Sequence, residues 1–149
     1  MKKIIFATCA AIVAFVGITL TTDAQAAEKN PAIVHRQGTY EVVAGHMGSL
    51  KAILFLGGEG DMAYHAEAIK AAWEHMGKAY PAGSDVGETR AKPEIWQNMP
   101  DFQEKGKAAY GATVELVTAA QSGDKGATTE AFKKLGGACK ACHKEYRKK

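Results

Sequence analysis

The stretch Leu135-Gly136-Gly137-Ala138-Cys139-Lys140-Ala141-Cys142-His143-Lys144-Glu145-Tyr146-Arg147 decides how the rest of the chain is read. Within a helical pattern it holds Cys139-Lys140-Ala141-Cys142-His143, which fits C-x-x-C-H, the pattern of covalent haem attachment. The spacing has a physical reason. Residues three apart on a helix share a face, so both thiols can reach the two vinyl groups on one edge of a porphyrin. The imidazole that follows can turn beneath the macrocycle and bind iron from the proximal side. The expectation is therefore one covalent haem c, held by Cys139 and Cys142 and ligated by His143.

Two other readings of the motif compete. A thioredoxin-like redox pair opens a helix that follows a strand, whereas this pair lies near the end of a helix with no strand pattern beside it. A zinc site would need a fourth ligand and usually a second cysteine pair. A disulfide between residues three apart would close almost no loop, so it would add little stability.

Working back from the motif, the chain reads as four amphipathic helices. The fourth starts near Asp124 and reaches about Arg147. Gly136-Gly137 inside it costs roughly 1 kcal/mol of helix propensity per glycine, a place where something bulky could approach the backbone. The third helix spans about Pro100 to Gln121 and ends at Ser122-Gly123. The second runs from about Met62, capped by Asp61, to Ala79, where Pro81-Ala82-Gly83-Ser84 breaks it. The first opens with Asn30 as N-cap and Pro31 at the first helical position, and reaches about Leu56. Its apolar residues Val43, Met47, Leu50 and Leu54 recur at spacings of three and four, so they share a face. Gly57 to Gly60 ends it. One long connection joins the second and third helices, with a short helical turn at Pro93-Glu94-Ile95-Trp96. The fold expected is all-α, an antiparallel four-helix bundle carrying a covalently attached haem.

At the N-terminus, Lys2 and Lys3 precede an apolar run from Ile4 to Leu20, and Ala24-Gln25-Ala26 supplies a small-x-small cleavage pattern. Residues 1–26 read as a secretory signal, leaving 27–149 as the single mature domain. An export signal with attached haem suggests a bacterial periplasm, and no membrane association is expected after cleavage. The whole chain carries a net charge of only +3, without the basic clusters and interleaved aromatics of a nucleic-acid binder. No nucleophile–base arrangement is apparent, so the chain is not read as an enzyme.

A haem on the fourth helix needs a cover, and the first helix is the natural one. Candidates there for a sixth iron ligand are Met47, His46 and Tyr40. Methionine is a common axial ligand, although a core methionine filling space is commoner. His46 lies off the apolar stripe and reads as a surface residue, while His65 and His75 read as solvated or capping residues.

The chain at this point resembles the class II c-type cytochromes, and within them the cytochrome c′ family, itself a standard example of the antiparallel four-helix bundle. The resemblance covers nearly all of the mature sequence. It rests on Cys139-x-x-Cys142-His143 followed by Tyr146-Arg147, on Arg36-Gln37-Gly38-Thr39-Tyr40, on His46-Met47-Gly48, and on Thr89-Arg90-Ala91-Lys92-Pro93-Glu94-Ile95-Trp96. It implies thioether bonds at Cys139 and Cys142, proximal ligation by His143, Arg36 beside a haem propionate, and Arg147 as the arginine next to the ligating histidine. It puts Tyr40 where low-spin members place a ligating methionine, which looks like the five-coordinate, high-spin subset. Met47 lies two turns beyond that position. The resemblance also implies a homodimer through the first two helices.

Two functions follow as expectations. One is binding of diatomic gases, nitric oxide and carbon monoxide, at an open sixth site, with a part in nitric oxide tolerance. The other is electron transfer to a redox partner protein of unknown identity, in the alternative form with Met47 or His46 as distal ligand. Lys133, Lys134, Lys140, Lys144, Lys148 and Lys149 surround the attachment helix and could steer an acidic partner, though a solvated helix face is the better account of them.

Overall fold

The computed structural model describes residues 29–149. The expected signal segment 1–26 lies outside the described residues. Four long helices, α1 (Pro31–Phe55), α2 (Met62–Glu74), α4 (Met99–Gln121) and α5 (Lys125–Tyr146), are joined by short turns and by one long connection that carries α3 (Glu94–Gln97).

Each start is fixed by a polar cap that satisfies otherwise unpaired backbone donors. The Asn30 side chain accepts from Ala32 N, Asp61 from Tyr64 N, and Asp124 from Gly126 N and Ala127 N. Pro31 stands at the start of α1, as expected. After α1 the chain reverses at Gly57, which takes a φ of +76°, a conformation that strains residues carrying a Cβ.

The second helix is shorter than its sequence pattern suggests. Its α-helical part ends at Glu74, and the chain tightens into a 3₁₀ turn at Met76–Lys78 before Ala79. The fourth long helix likewise ends at Tyr146, with Arg147 already extended at φ −117° and ψ 130°.

The helices pack in the order α1 on α2, α2 on α4, and α4 on α5. The predicted stripe of α1 is the buried one: Val43, Leu50 and Leu54 join the core and Met47 packs against it. Facing it are Ala66 and Ile69 of α2, Ala112, Leu116, Val117 and Ala120 of α4, and Leu135 of α5. By contrast α1 and α5 touch at few points. No helix among the described residues is long and apolar enough to cross a membrane.

The long connection is tied down at both ends. Lys92 N donates to Tyr146 O and Lys148 N to Arg90 O, so the segment pairs briefly with the C-terminal tail around Ala91 and Arg147. Among the described residues, nothing beyond the helix's own adjoining backbone lies within 4 Å of where a Cβ would stand at Gly136 or Gly137. These glycines are therefore not needed for the helices to pack on one another.

Candidate functional site

Where α1 and α5 stand apart, a cavity of about 1150 Å³ opens between them, just above the range of ordinary ligand pockets (~300–1,000 Å³). Cys139, Cys142 and His143 form part of its α5 wall, and Arg36, Tyr40, Val43 and Met47 part of its α1 wall. Trp73, Met76 and Tyr80 close one side from α2 and the turn after it, and Phe102 another from α4. The sequence brings these together through helical period alone: on α1, positions 36, 40, 43 and 47 are spaced to fall on one stripe.

Cys139 and Cys142 are unbridged and partly buried. Burial raises both thiols above their ordinary range, and Cys139 adds to the effect on Cys142. They lie in the last turns of α5, not at a helix start, so the thioredoxin-like reading has no support in the geometry. Nor do three or more His, Cys, Asp or Glu side chains gather into a metal-holding group among the described residues, against the zinc reading.

His143 is pushed below the ordinary histidine range, first by burial and then by the cations of Arg147 and Arg90. It is thus kept as the neutral imidazole, whose free ring nitrogen is the ligating form. Arg147 lines the cavity as the sequence suggested, but from the helix cap rather than from a further turn of α5. Arg90, anchored through Nε and Nη2 on Lys148 O at 3.3 Å, brings the long connection to the same wall.

Arg36 is 3% exposed. Its Nη1 donates to Ser84 Oγ (2.9 Å) and its Nη2 to Ser84 O (2.6 Å) and Thr89 Oγ1 (2.7 Å). The guanidinium also stands 5.1 Å from the centre of the Tyr80 ring and 5.8 Å from that of Trp96. Expected beside a haem propionate, it lines the cavity and at the same time clamps the long connection to α1. Sequence position alone does not reveal this second task, because Ser84 and Thr89 are about fifty residues away.

Tyr40 sits in the cavity wall with its ring edge-on to Trp73, centroids 6.1 Å apart. Tyr80 Oη and Tyr40 Oη lie 3.1 Å apart, within hydrogen-bonding distance. Burial first, then Tyr80, pushes the Tyr40 phenol far above the ordinary tyrosine range, so it is a neutral hydroxyl at any physiological pH. Met47 also lines the cavity.

His46 is not among the lining residues. It is half-buried rather than a surface residue, and its Nδ1 lies 2.8 Å from Nδ1 of His65 on α2. This pair is a link between the first two helices that one-dimensional periodicity had assigned to solvent. Tyr80 and Phe102 are among the cavity residues that the sequence reading missed. Tyr80 falls between the expected helix end at Ala79 and the Pro81 break, where no periodic pattern gives it a role.

The residues present fit a haem. Two free thiols at the attachment spacing, a neutral imidazole directly after them, and a largely aromatic and aliphatic wall surround a cavity of sufficient size. Buried Trp73 Nε1 has no partner among the described residues, and Trp73 lines the same cavity. An unpaired buried donor is costly unless a bound group satisfies it.

A family model described as Cytochrome C′ matches residues 31–147. The cytochrome c′ of Rhodospirillum rubrum is 34% identical over 139 residues, 91% of this chain and 95% of that protein. Among solved structures, cytochrome c′ from Thermochromatium tepidum superposes with a TM-score of 0.74 at 37% identity, covering 80% of this chain and 95% of that one. A variant of cytochrome c′ from Alcaligenes xylosoxidans, solved as its nitric oxide complex, superposes with a TM-score of 0.74 at 31% identity, covering 80% and 94%. Cavity and kinship agree: this chain belongs to the cytochrome c′ family and carries one covalent haem c.

Proposed function

We propose that the chain is a periplasmic gas-binding cytochrome in which Cys139 and Cys142 hold the haem, His143 ligates its iron, and the sixth position stays open to nitric oxide or carbon monoxide. The bound haem supplies an iron centre that takes a diatomic ligand and exchanges one electron. The protein's own contribution is to keep His143 neutral beside Arg147 and Arg90, to shut the haem between α1 and α5, and to limit what fits on the α1 side.

The observation that carries the reading is Tyr40. It stands in the α1 wall of the cavity as a neutral phenol, a weak iron ligand beside methionine or histidine. Its bulk, with Trp73 against its ring, restricts the site to small ligands. The nitric oxide complex of the Alcaligenes xylosoxidans relative supports gas binding, and a role in nitric oxide tolerance extends it. The signal-like residues 1–26 are the basis for the periplasm. A groove between α1 and α2, lined by Val34, Val42, Ala68, Ala71 and Ala72, supports a homodimer through these two helices, because Val34 and Val42 are otherwise exposed apolar side chains.

Met47 favours a second reading, a low-spin electron carrier, because it too lines the cavity. The absorption spectrum of the purified ferrous protein separates the two. High-spin bands that change on adding carbon monoxide or nitric oxide support the open site. A six-coordinate low-spin spectrum insensitive to gas overturns it in favour of Met47. In an open-site protein, Tyr40→Met should convert the first spectrum into the second.

A further inference from the structure

Tyr40 has one proton to give and can aim it in either of two directions. One is towards Tyr80, the other into the cavity. The hydroxyl oxygens of Tyr40 and Tyr80 are 3.1 Å apart, so one donates to the other. The surroundings favour Tyr80 as the donor. The Arg36 guanidinium lies over the Tyr80 ring, and a cation there favours loss of phenolic proton density from Tyr80. No such cation stands against the Tyr40 ring among the described residues. Of two paired phenols, the more acidic donates.

Tyr80 itself has little freedom. Its ring is packed against Phe102, centroids 4.7 Å apart, and against Trp96 at 6.0 Å. Trp96 is fixed in turn by Nε1 donating to Pro81 O, and Arg36 by Ser84 and Thr89. The Tyr40 ring is fixed by Trp73. With both rings held, the remaining variable is where the Tyr40 proton points.

Resting on the open-site reading above, we infer that Tyr80 is a positioning residue: by donating to Tyr40 Oη it turns the Tyr40 proton into the cavity and makes Tyr40 a hydrogen-bond donor to a bound diatomic. Donation from Tyr80 also polarises the Tyr40 O–H, because linked hydrogen bonds strengthen one another. The site then selects by polarity as well as by size. A ligand that accumulates negative charge on its outer atom is favoured over one that does not.

The test is the C–O stretching frequency of the ferrous carbon monoxide complex in the wild-type protein, Tyr80→Phe, Tyr40→Phe and the double variant. A hydrogen bond to the ligand lowers that frequency, so Tyr40→Phe should raise it. Tyr80→Phe should shift it in the same direction by a smaller amount, and should add nothing in the Tyr40→Phe background. Loss of the donor should also speed ligand dissociation about two- to tenfold, the range of one net hydrogen bond.

A downward shift in Tyr80→Phe would mean that Tyr80 had been the acceptor, and overturns the proposal. So does no shift, or an equal shift in both backgrounds, which would report altered packing rather than the hydroxyl. A wild-type protein that is six-coordinate and does not take up carbon monoxide overturns the open-site reading, and this proposal with it, before any variant is compared.

Discussion

At the end of the bundle where α1 turns into α2 and α4 into α5, Leu50, Ile69, Leu116 and Leu135 are all at 0% exposure. At the other end the same helices carry Tyr40, Met47, Trp73, Tyr80 and Phe102, none fully buried, around a cavity of about 1150 Å³. The first end is closed by aliphatic side chains that satisfy one another. The second is kept open by the separation of α1 and α5 and by large aromatic side chains that brace the walls. A bundle can do both at once because packing at one end holds the helix axes in place while their other ends diverge. Stability and function therefore sit at different ends of the same four helices.

The sharpest division between the ends is chemical. Changing Cys139 and Cys142 together to alanine should abolish covalent haem. Under denaturing conditions, no haem absorbance should stay with the polypeptide, and any that does refutes the attachment. At the closed end, Leu116→Ala should cost about 2–5 kcal/mol of unfolding free energy, read from denaturant midpoints. Met47→Ala at the cavity wall should cost clearly less, because Met47 is only partly buried and packs at the edge of the core. Equal losses would erase the contrast between the ends.

Arg36→Lys tests what braces the open end. A lysine keeps the charge but loses the planar fork that serves Ser84 and Thr89 together. The loss should be about 1–3 kcal/mol, with faster amide exchange in the long connection but not around Leu116 and Leu135.

The smallest effect belongs to pH. The Tyr40 phenol is raised above its ordinary value of 10.0 by burial, so the folded state holds this proton after the unfolded chain has released it. Its contribution is fully present below about pH 10 and is lost as pH rises beyond that, with a slope of at most about 1.4 kcal/mol per unit. Unfolding curves above pH 10 should fall more steeply for the wild-type protein than for Tyr40→Phe. Parallel curves would show that the phenol is not held in the wall.

Much of the architecture was legible in one dimension because its causes are local. Asn30, Asp61 and Asp124 cap helices within three residues of themselves, and the stripe Val43, Met47, Leu50, Leu54 is a matter of helical period. The attachment motif is likewise contained in five residues. The errors fall where a long-range contact overrides local pattern. His46 and His65 looked like solvent-facing residues on separate helices, yet they meet across α1 and α2. Tyr80 fell just beyond the expected end of the second helix at Ala79, outside any pattern, yet it reaches Tyr40.

The sequence by itself determined four helices, two of their caps and the haem-attachment motif, because each follows from spacing along one helix; Tyr40 stood out among the α1 candidates only through the family resemblance. Only the tertiary structure decided that Arg36 clamps the long connection, that α1 and α5 stand apart, and that Tyr40 is paired with Tyr80. These depend on contacts between residues about forty or more positions apart, and no periodicity within a helix encodes where a distant loop will fold back.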